Sequence, residues 1–311
     1  MLVWLVLDSE HDFGFGHLSR LVAIAQTLVS QDINFCFHSE NAFGSRIIDF
    51  IKANNLPAVC ECSGNPDLLI IDTYNPDTAE IFTKQTGSKI VIFADESTPI
   101  GHPDAIVQVS PTPEDKPYPL GVPILEFRDS PVLRNEVVSY SQISSELSPI
   151  KSGWLVSLGG VDDHVYHKLL HSLDQMLNRH NLEVTVASGS TSVGLLAQSL
   201  GFTWIDKSLD VSAICSKYKF AITGAGVTAW ELAFLRFPGF VVSVVNNQDF
   251  QLDYLLKHKI RLGLRIGSEN FNAELKALIA AEPDYLDFTR PVDGRNRVLK
   301  FINKVIFEKS V

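Results

Sequence analysis

Residues 2–7 read Leu-Val-Trp-Leu-Val-Leu, with no polar position to turn toward water. A strand with one solvated face alternates, whereas an unbroken branched run fits a strand covered on both faces, as in a parallel sheet flanked by helices. Further strands, mostly apolar, are expected at Leu68–Ile71, Lys89–Phe93, Trp154–Leu158, Phe220–Thr223 and Phe240–Val245. Between the first two strands, Asp8–Gly16 is a polar, glycine-bearing loop, and Leu18, Leu21, Val22, Ala25, Leu28 and Val29 recur at helical spacing. A strand at Ile33–Phe37 and a helix at Ser45–Asn54 continue the alternation. Strand, loop, helix, strand is the pattern of a parallel sheet with crossover helices.

With ~100–200 residues per domain, the 311 residues predict two domains. Prolines 99, 103, 111, 113, 117, 119, 123 and 131 interrupt the rhythm, so 99–150 reads as irregular edge structure leading to a linker near Ser139–Ser152. The alternation restarts at Trp154, with helices expected over Val193–Leu200, Val211–Ser216, Thr228–Leu235 and Phe250–Lys257, and strands at Glu183–Ala187 and Phe202–Ile205. Asp293–Glu308 reads as an amphipathic helix closing the chain. The expected fold is α/β, with two Rossmann-like domains, 1–145 and 146–311, whose parallel sheets face a central cleft.

Charge narrows the ligand. Lys and Arg number 26 against 36 Asp and Glu, a net −10 that repels a long phosphate polymer. Nucleic acid is therefore not an expected partner, while a small phosphorylated ligand can still be held by helix N-termini and backbone amides. No apolar run reaches the ~18 residues of a membrane span, and Met1–Leu7 lacks the basic start of a signal peptide. Cys36, Cys60, Cys62 and Cys215 read as buried thiols, with no ligand spacing that suggests a metal. These features together predict a cytoplasmic protein.

Candidate chemistry gathers after the strands, where an α/β sheet collects its ligands. Gly14-Phe15-Gly16-His17-Leu18-Ser19-Arg20 opens the first helix, and its glycines allow close backbone approach to a ligand. Imidazoles titrate near neutrality and suit a general base, so His17 is the leading candidate; a packing or capping role is the alternative. The third place of a G-x-G-x-x-G fingerprint is Ser19 rather than glycine, which weighs against a dinucleotide site, although Glu40 could mimic its ribose-binding acid. Gly159-Gly160-Val161-Asp162-Asp163 and Gly224-Ala225-Gly226-Val227-Thr228 are further strand-to-helix loops, with Glu231 one turn on as a ribose acceptor or a macrodipole partner. Asn246-Asn247-Gln248 offers neutral amides to a diphosphate or sugar, or caps a helix. Asp72-Thr73-Tyr74 and Asp95-Glu96 follow two of the strands.

GFGHLSR (14–20), LLIIDTY (68–74), KIVIFADE (89–96), LGGVDD (158–163), GAGVTAWEL (224–232) and NNQ (246–248) together resemble the UDP-sugar hydrolases of pseudaminic acid biosynthesis. That family belongs to the superfamily of the lipid II-forming N-acetylglucosaminyltransferase and has the two-domain GT-B fold. The resemblance implies metal-independent, inverting hydrolysis of UDP-2,4-diacetamido-2,4,6-trideoxy-β-L-altrose, with no cofactor. It implies His17 as the base that activates water and Tyr74 as a residue orienting water or sugar. Gly14, Gly16, Arg20, Gly159, Gly160, Gly226, Val227, Thr228, Glu231, Asn247 and Gln248 would bind substrate or nucleotide. Three departures fall on the sugar side: Thr73 stands where the family has His, Ala94-Asp95 where it has Asp-Asp, and its aromatic segment is not recognisable around Tyr118–Arg128. Transfer to an acceptor hydroxyl by a glycosyltransferase of the same fold is the main alternative, and a non-catalytic sugar-nucleotide binder is the second.

Overall fold

The computed structural model describes residues 1–8, 16–39, 41–57, 64–73, 80, 82, 87–95, 102–112, 118–143, 152–159, 161–177, 183–206, 211–244, 246–281 and 287–307, the side chains of 212, 246, 247, 281 and 307 excepted. The chain divides into two units, Met1–Asn135 with Val292–Val311, and Glu136–Pro291.

In the first unit the order is β1 (Leu2–Val6), α1 (Gly16–Ser30), β2 (Asn34–His38), α2 (Ser45–Ala53), β3 (Leu68–Ile71), β4 (Lys89–Ala94), β5 (Ala105–Gln108) and β6 (Ile124–Leu125). All neighbouring pairs are parallel, in the order β2-β1-β3-β4-β5-β6. The unbroken apolar runs behave as expected: Val3 and Leu5 pack with Leu18, Leu21, Val22 and Leu28 of α1 on one face, and Val6, Leu69, Ile71, Ile90 and Ile92 with Phe82 form the other. The strand order reverses beside β1. From β1 the chain moves to the edge strand β2, then returns past β1 to β3, so the loops after β1 and β3 diverge and leave a crevice at their carboxyl ends.

The second unit repeats the rule with β7 (Trp154–Ser157), α4 (Asp163–Leu177), β8 (Val184–Ala187), α5 (Thr191–Ser199), β9 (Thr203–Ile205), α6 (Val211–Lys217), β10 (Phe220–Gly224), α7 (Val227–Phe234), β11 (Gly239–Ser243), α8 (Asn246–Lys257), β12 (Gly263–Arg265) and α9 (Phe271–Ala281). Helix α3 (Asn135–Ile143) precedes it. Its parallel order, β12-β11-β10-β7-β8-β9, reverses between β7 and β10. Trp154 stacks on Phe220 with ring centroids 4.4 Å apart, and Leu169, Leu170 and Leu173 of α4 cover Val156 and Ile222.

Several expectations shift. The proline-rich stretch contains β5, a strand paired on both sides, because Pro103 and Pro111 bracket Ala105–Gln108 without removing a ladder donor from it. Helix α3 occupies residues where a linker was expected to begin. Cys36, expected as a thiol, is disulfide-bonded, while Cys215 is a buried thiol. Cys60 and Cys62 lie outside the described residues.

The closing segment also departs from the 146–311 assignment, since it returns to the first unit. Its helix α10 (Arg295–Ile302), continued by a π-helical turn (Asn303–Phe307), buries Val298, Leu299 and Ile302 in the core beside α1. An amphipathic stripe needs an apolar face to cover, and the first core supplies it. Backbone bonds fasten the return: Val292 N–H to the Asp129 carbonyl and Gly294 N–H to that of Pro131, both 2.8 Å. Arg295 grips the Asp293 carboxylate through Nε and Nη2 and donates Nη1 to Asn135 Oδ1. A Cβ on Gly294 would stand 2.1 Å from the Ser130 carbonyl oxygen, against backbone that cannot rotate away. Gly294→Ala should therefore cost roughly 1–3 kcal/mol of stability from overpacking; an unchanged urea midpoint would show that this return is not tightly held.

Candidate active site

At the crevice of the first unit, three successive strands end in polar residues: Asp72 after β3, Asp95 after β4 and Ser110 beyond β5. Helix α1 brings His17 and Arg20 to the same place, because residues three apart share a helix face. All five are buried: His17 is 7 % exposed, Arg20 5 %, Asp72 0 %, Asp95 4 % and Ser110 2 %. Burying so many charged groups requires that each be paired.

The pairing runs as a chain. Arg20 grips Asp72 with two prongs, Nε to Oδ2 at 2.8 Å and Nη2 to Oδ1 at 2.9 Å. Its Nη1 lies 3.5 Å from Asp95 Oδ2, and Ser110 Oγ donates to Asp95 Oδ1. His17 Nδ1 bonds Asp72 Oδ1. Burial pushes the Asp72 carboxyl upward, but the Arg20 charge, the adjacent imidazole and the hydrogen bonds from both outweigh it and hold the group well below the usual carboxylate range. Asp72 is thus an ionised acceptor without a proton to give, and hydrogen-bond logic assigns the His17 proton to Nδ1. Arg20 Nη2 also approaches Nδ1 at 3.1 Å, but two donors cannot bond each other; both converge on the shared Oδ1. In the neutral ring the remaining nitrogen, Nε2, carries the lone pair, the arrangement by which a carboxylate orients a basic imidazole.

Nearby, Thr73 Oγ1 donates to Asp8 Oδ1, tying the loop after β3 to the loop after β1. The position where the resemblance expects His is thus engaged in bracing the crevice. Arg20, expected to touch substrate, has its guanidinium against the two aspartates. Gly16 begins α1, whereas Gly14 and Tyr74 lie outside the described residues.

The second unit's crevice is built differently, from backbone. Gly159, after β7, has φ +83°, a left-handed conformation that suits glycine. Gly224, at the end of β10, lets two strands meet: a Cβ there would be 2.7 Å from the Leu158 carbonyl oxygen. Gly226 then caps α7 without a side-chain bond, so the first-turn amides of Val227 and Thr228 begin a helix whose N-terminus carries partial positive charge. Tyr166 Oη accepts from Leu158 N–H at 2.9 Å and donates to the Ala187 carbonyl at 3.1 Å, and burial pushes its phenol up to about 12. Gln248 Oε1 accepts from Ala225 N–H at 3.2 Å and Val244 N–H at 3.3 Å, so this amide braces the glycine loop. Glu231 is 1 % exposed and offers a ribose almost no surface as it stands. Gly160 and the Asn247 side chain lie outside the described residues.

The sequence named Asp72 and Asp95 only as polar residues after strands. Their joint service to His17 depends on which strands are neighbours, and no spacing in the chain reports that. Among the described residues, no group of three or more His, Cys, Asp or Glu could hold a metal ion, and no helix is long and apolar enough to cross a membrane.

Because Asp72 titrates below its unfolded value, its contribution to stability is complete above ~4 and is lost as pH falls through the folded value. Asp72→Asn removes the two-pronged carboxylate from Arg20, leaving it Asp95 alone, and should cost up to ~3–5 kcal/mol at pH 7. The gap to wild type should narrow below about pH 4. A gap constant from pH 7 to pH 3 in denaturant titrations would contradict this pairing.

No family model and no curated protein matches this sequence. Solved structures do. MurG of Acinetobacter baumannii aligns over 98 % of this chain and 100 % of its own, at TM-score 0.56 and 11 % identity. A protein named as a UDP-N-acetylglucosamine 2-epimerase, from Listeria monocytogenes, aligns over 99 % and 97 % at 0.61 and 11 %. The spinosyn rhamnosyltransferase SpnG, complexed with thymidine diphosphate, aligns over 98 % and 96 % at 0.56 and 10 %. At such identities the likeness concerns the fold, and the fold of this chain is the two-unit, Rossmann-like GT-B fold.

Proposed function

We propose that this chain is a nucleotide-sugar enzyme that hydrolyses a UDP-sugar, with His17 as general base. The observation that carries the reading is the His17–Asp72 pair at the strand-order reversal of the first unit. In the proposed reaction, His17 Nε2 takes a proton from water while the water oxygen bonds the anomeric carbon. The bond from that carbon to the diphosphate breaks, its electron pair leaves with UDP, and the sugar departs with inverted configuration. Amides of the first turn of α7 and of the glycine loops would stabilise the charge developing on the diphosphate. Gly226, Val227, Thr228 and Gly159 are assigned to the nucleotide with Gly160 and Asn247, and Gln248 serves by holding the loop. Glu231 would meet the ribose only if its covering moves. The sequence resemblance favours UDP-2,4-diacetamido-2,4,6-trideoxy-β-L-altrose as substrate, with Tyr74 beside the sugar, and favours a cytoplasmic, metal-free enzyme.

A second reading is glycosyl transfer to a hydroxyl acceptor, supported by the fold shared with SpnG and MurG. The two separate cleanly. UDP released from a UDP-sugar without any acceptor supports hydrolysis, whereas release only on adding a hydroxyl compound supports transfer. Under hydrolysis, His17→Ala or His17→Asn should lower kcat ~10²–10⁴-fold, and unchanged turnover removes His17 as the base. Gln248→Ala deprives the Val244 amide of its acceptor and leaves Ala225 N–H with the Val242 carbonyl alone, at ~0.5–1.5 kcal/mol for each bond lost. UDP affinity measured by calorimetry should accordingly weaken several-fold, and undiminished affinity would detach Gln248 from the nucleotide site.

A further inference from the structure

Behind the His17–Asp72 pair stands a second layer of buried polar and charged side chains. Arg20 meets the Asp72 carboxylate with a planar two-pronged edge, Nε and Nη2, at 2.8 and 2.9 Å. A two-point contact fixes the carboxylate plane as well as its position, which a lysine cannot do. The guanidinium could still rotate off that edge, were its other end not held. Asp95 Oδ2, 3.5 Å from Nη1, holds it, and Asp95 is in turn anchored by the Ser110 hydroxyl. The members come from four places: Ser110 from beyond β5, Asp95 from after β4, Asp72 from after β3, and both Arg20 and His17 from α1. The chain therefore ties the direction of one imidazole to the spacing of three strands.

We propose that Arg20 and Asp95 are positioning residues: Asp95 fixes Arg20, Arg20 fixes the plane of Asp72, and Asp72 thereby locks His17 in its Nδ1–H form with Nε2 presented for proton transfer. The role in catalysis rests on the hydrolase reading above, but the locking of the ring does not, and it can be measured in the unliganded protein. Arg20 then acts on the reaction through Asp72, without touching substrate.

The test uses the full chain labelled with ¹⁵N-histidine, with the His17 imidazole signals assigned by their loss in His17→Gln. Wild type should show a protonated Nδ1 and an unprotonated Nε2 at pH 8. Asp95→Asn keeps the shape and removes the charge, Arg20→Lys keeps the charge and removes the fork, and Ser110→Ala loosens only the anchor. In Arg20→Lys and Asp95→Asn the two nitrogens should move toward the averaged shifts of exchanging tautomers, with Ser110→Ala changing less. With the UDP-sugar, kcat should fall ~10–100-fold in the first two variants, the usual cost of losing an orienting partner, while KM stays within twofold. A merely structural role would lower the urea midpoint but leave the His17 shifts and kcat of the folded protein at wild-type values, and that result would overturn the proposal. If Arg20→Lys does not fold, Asp95→Asn and Ser110→Ala decide alone. Shifts that move in a protein without UDP-sugar hydrolysis in any form would uphold the positioning and defeat the hydrolase reading. Hydrolysis by wild type with unmoved shifts in the variants would do the reverse.

Discussion

Asp72 carries a full negative charge with no exposure to water, and the first unit is arranged around that fact. An unpaired carboxylate in that position would cost several kcal/mol, so a guanidinium and an imidazole must meet it. Both come from α1, and they can reach it only because β1 and β3 are adjacent, which brings the helix that follows β1 over the end of β3. The adjacency itself follows from the chain's return past β1 after the edge strand. Charge pairing, strand order and the placement of a basic imidazole are thus one constraint seen at three scales.

The two units answer the same topology in different chemical terms. In the first, the crevice at the strand-order reversal is lined by ionised side chains in a buried network, a rigid arrangement suited to moving a proton at a defined atom. In the second, the equivalent crevice is lined by glycines and helix amides braced by Tyr166 and Gln248. Such a surface holds an anion through oriented dipoles and needs no cationic side chain. Under the proposed function this reconciles a net charge of −10 with a diphosphate ligand, since the groups assigned to it belong to the backbone and do not enter the charge count.

Much of this was legible in the linear sequence. The unbroken apolar runs required strands covered on both faces, and the glycine-bearing loops marked where a backbone approaches closely. His17 was visible because it stands at the start of a helix after such a loop. Less visible was β5, since prolines on either side of Ala105–Gln108 mask a short strand whose own donors are intact. Arg20 gains partners that its sequence neighbourhood does not show. A cation beside a glycine loop reads as an anion-binding group, and only its two buried carboxylate partners show that its charge is already matched within the protein.

The sequence by itself determined the period of the elements, the apolar faces they must bury and the residue types available at each strand end, because these depend on side chains a few positions apart. Tertiary structure alone decided which strand ends became neighbours and which charges were paired. It also decided that the closing helix covers the first core rather than the second. Those outcomes depend on contacts between residues such as His17 and Asp72, or Asn135 and Arg295, whose separation along the chain carries no periodic signal. Local chemistry supplied the imidazole, and long-range packing chose the carboxylate that orients it.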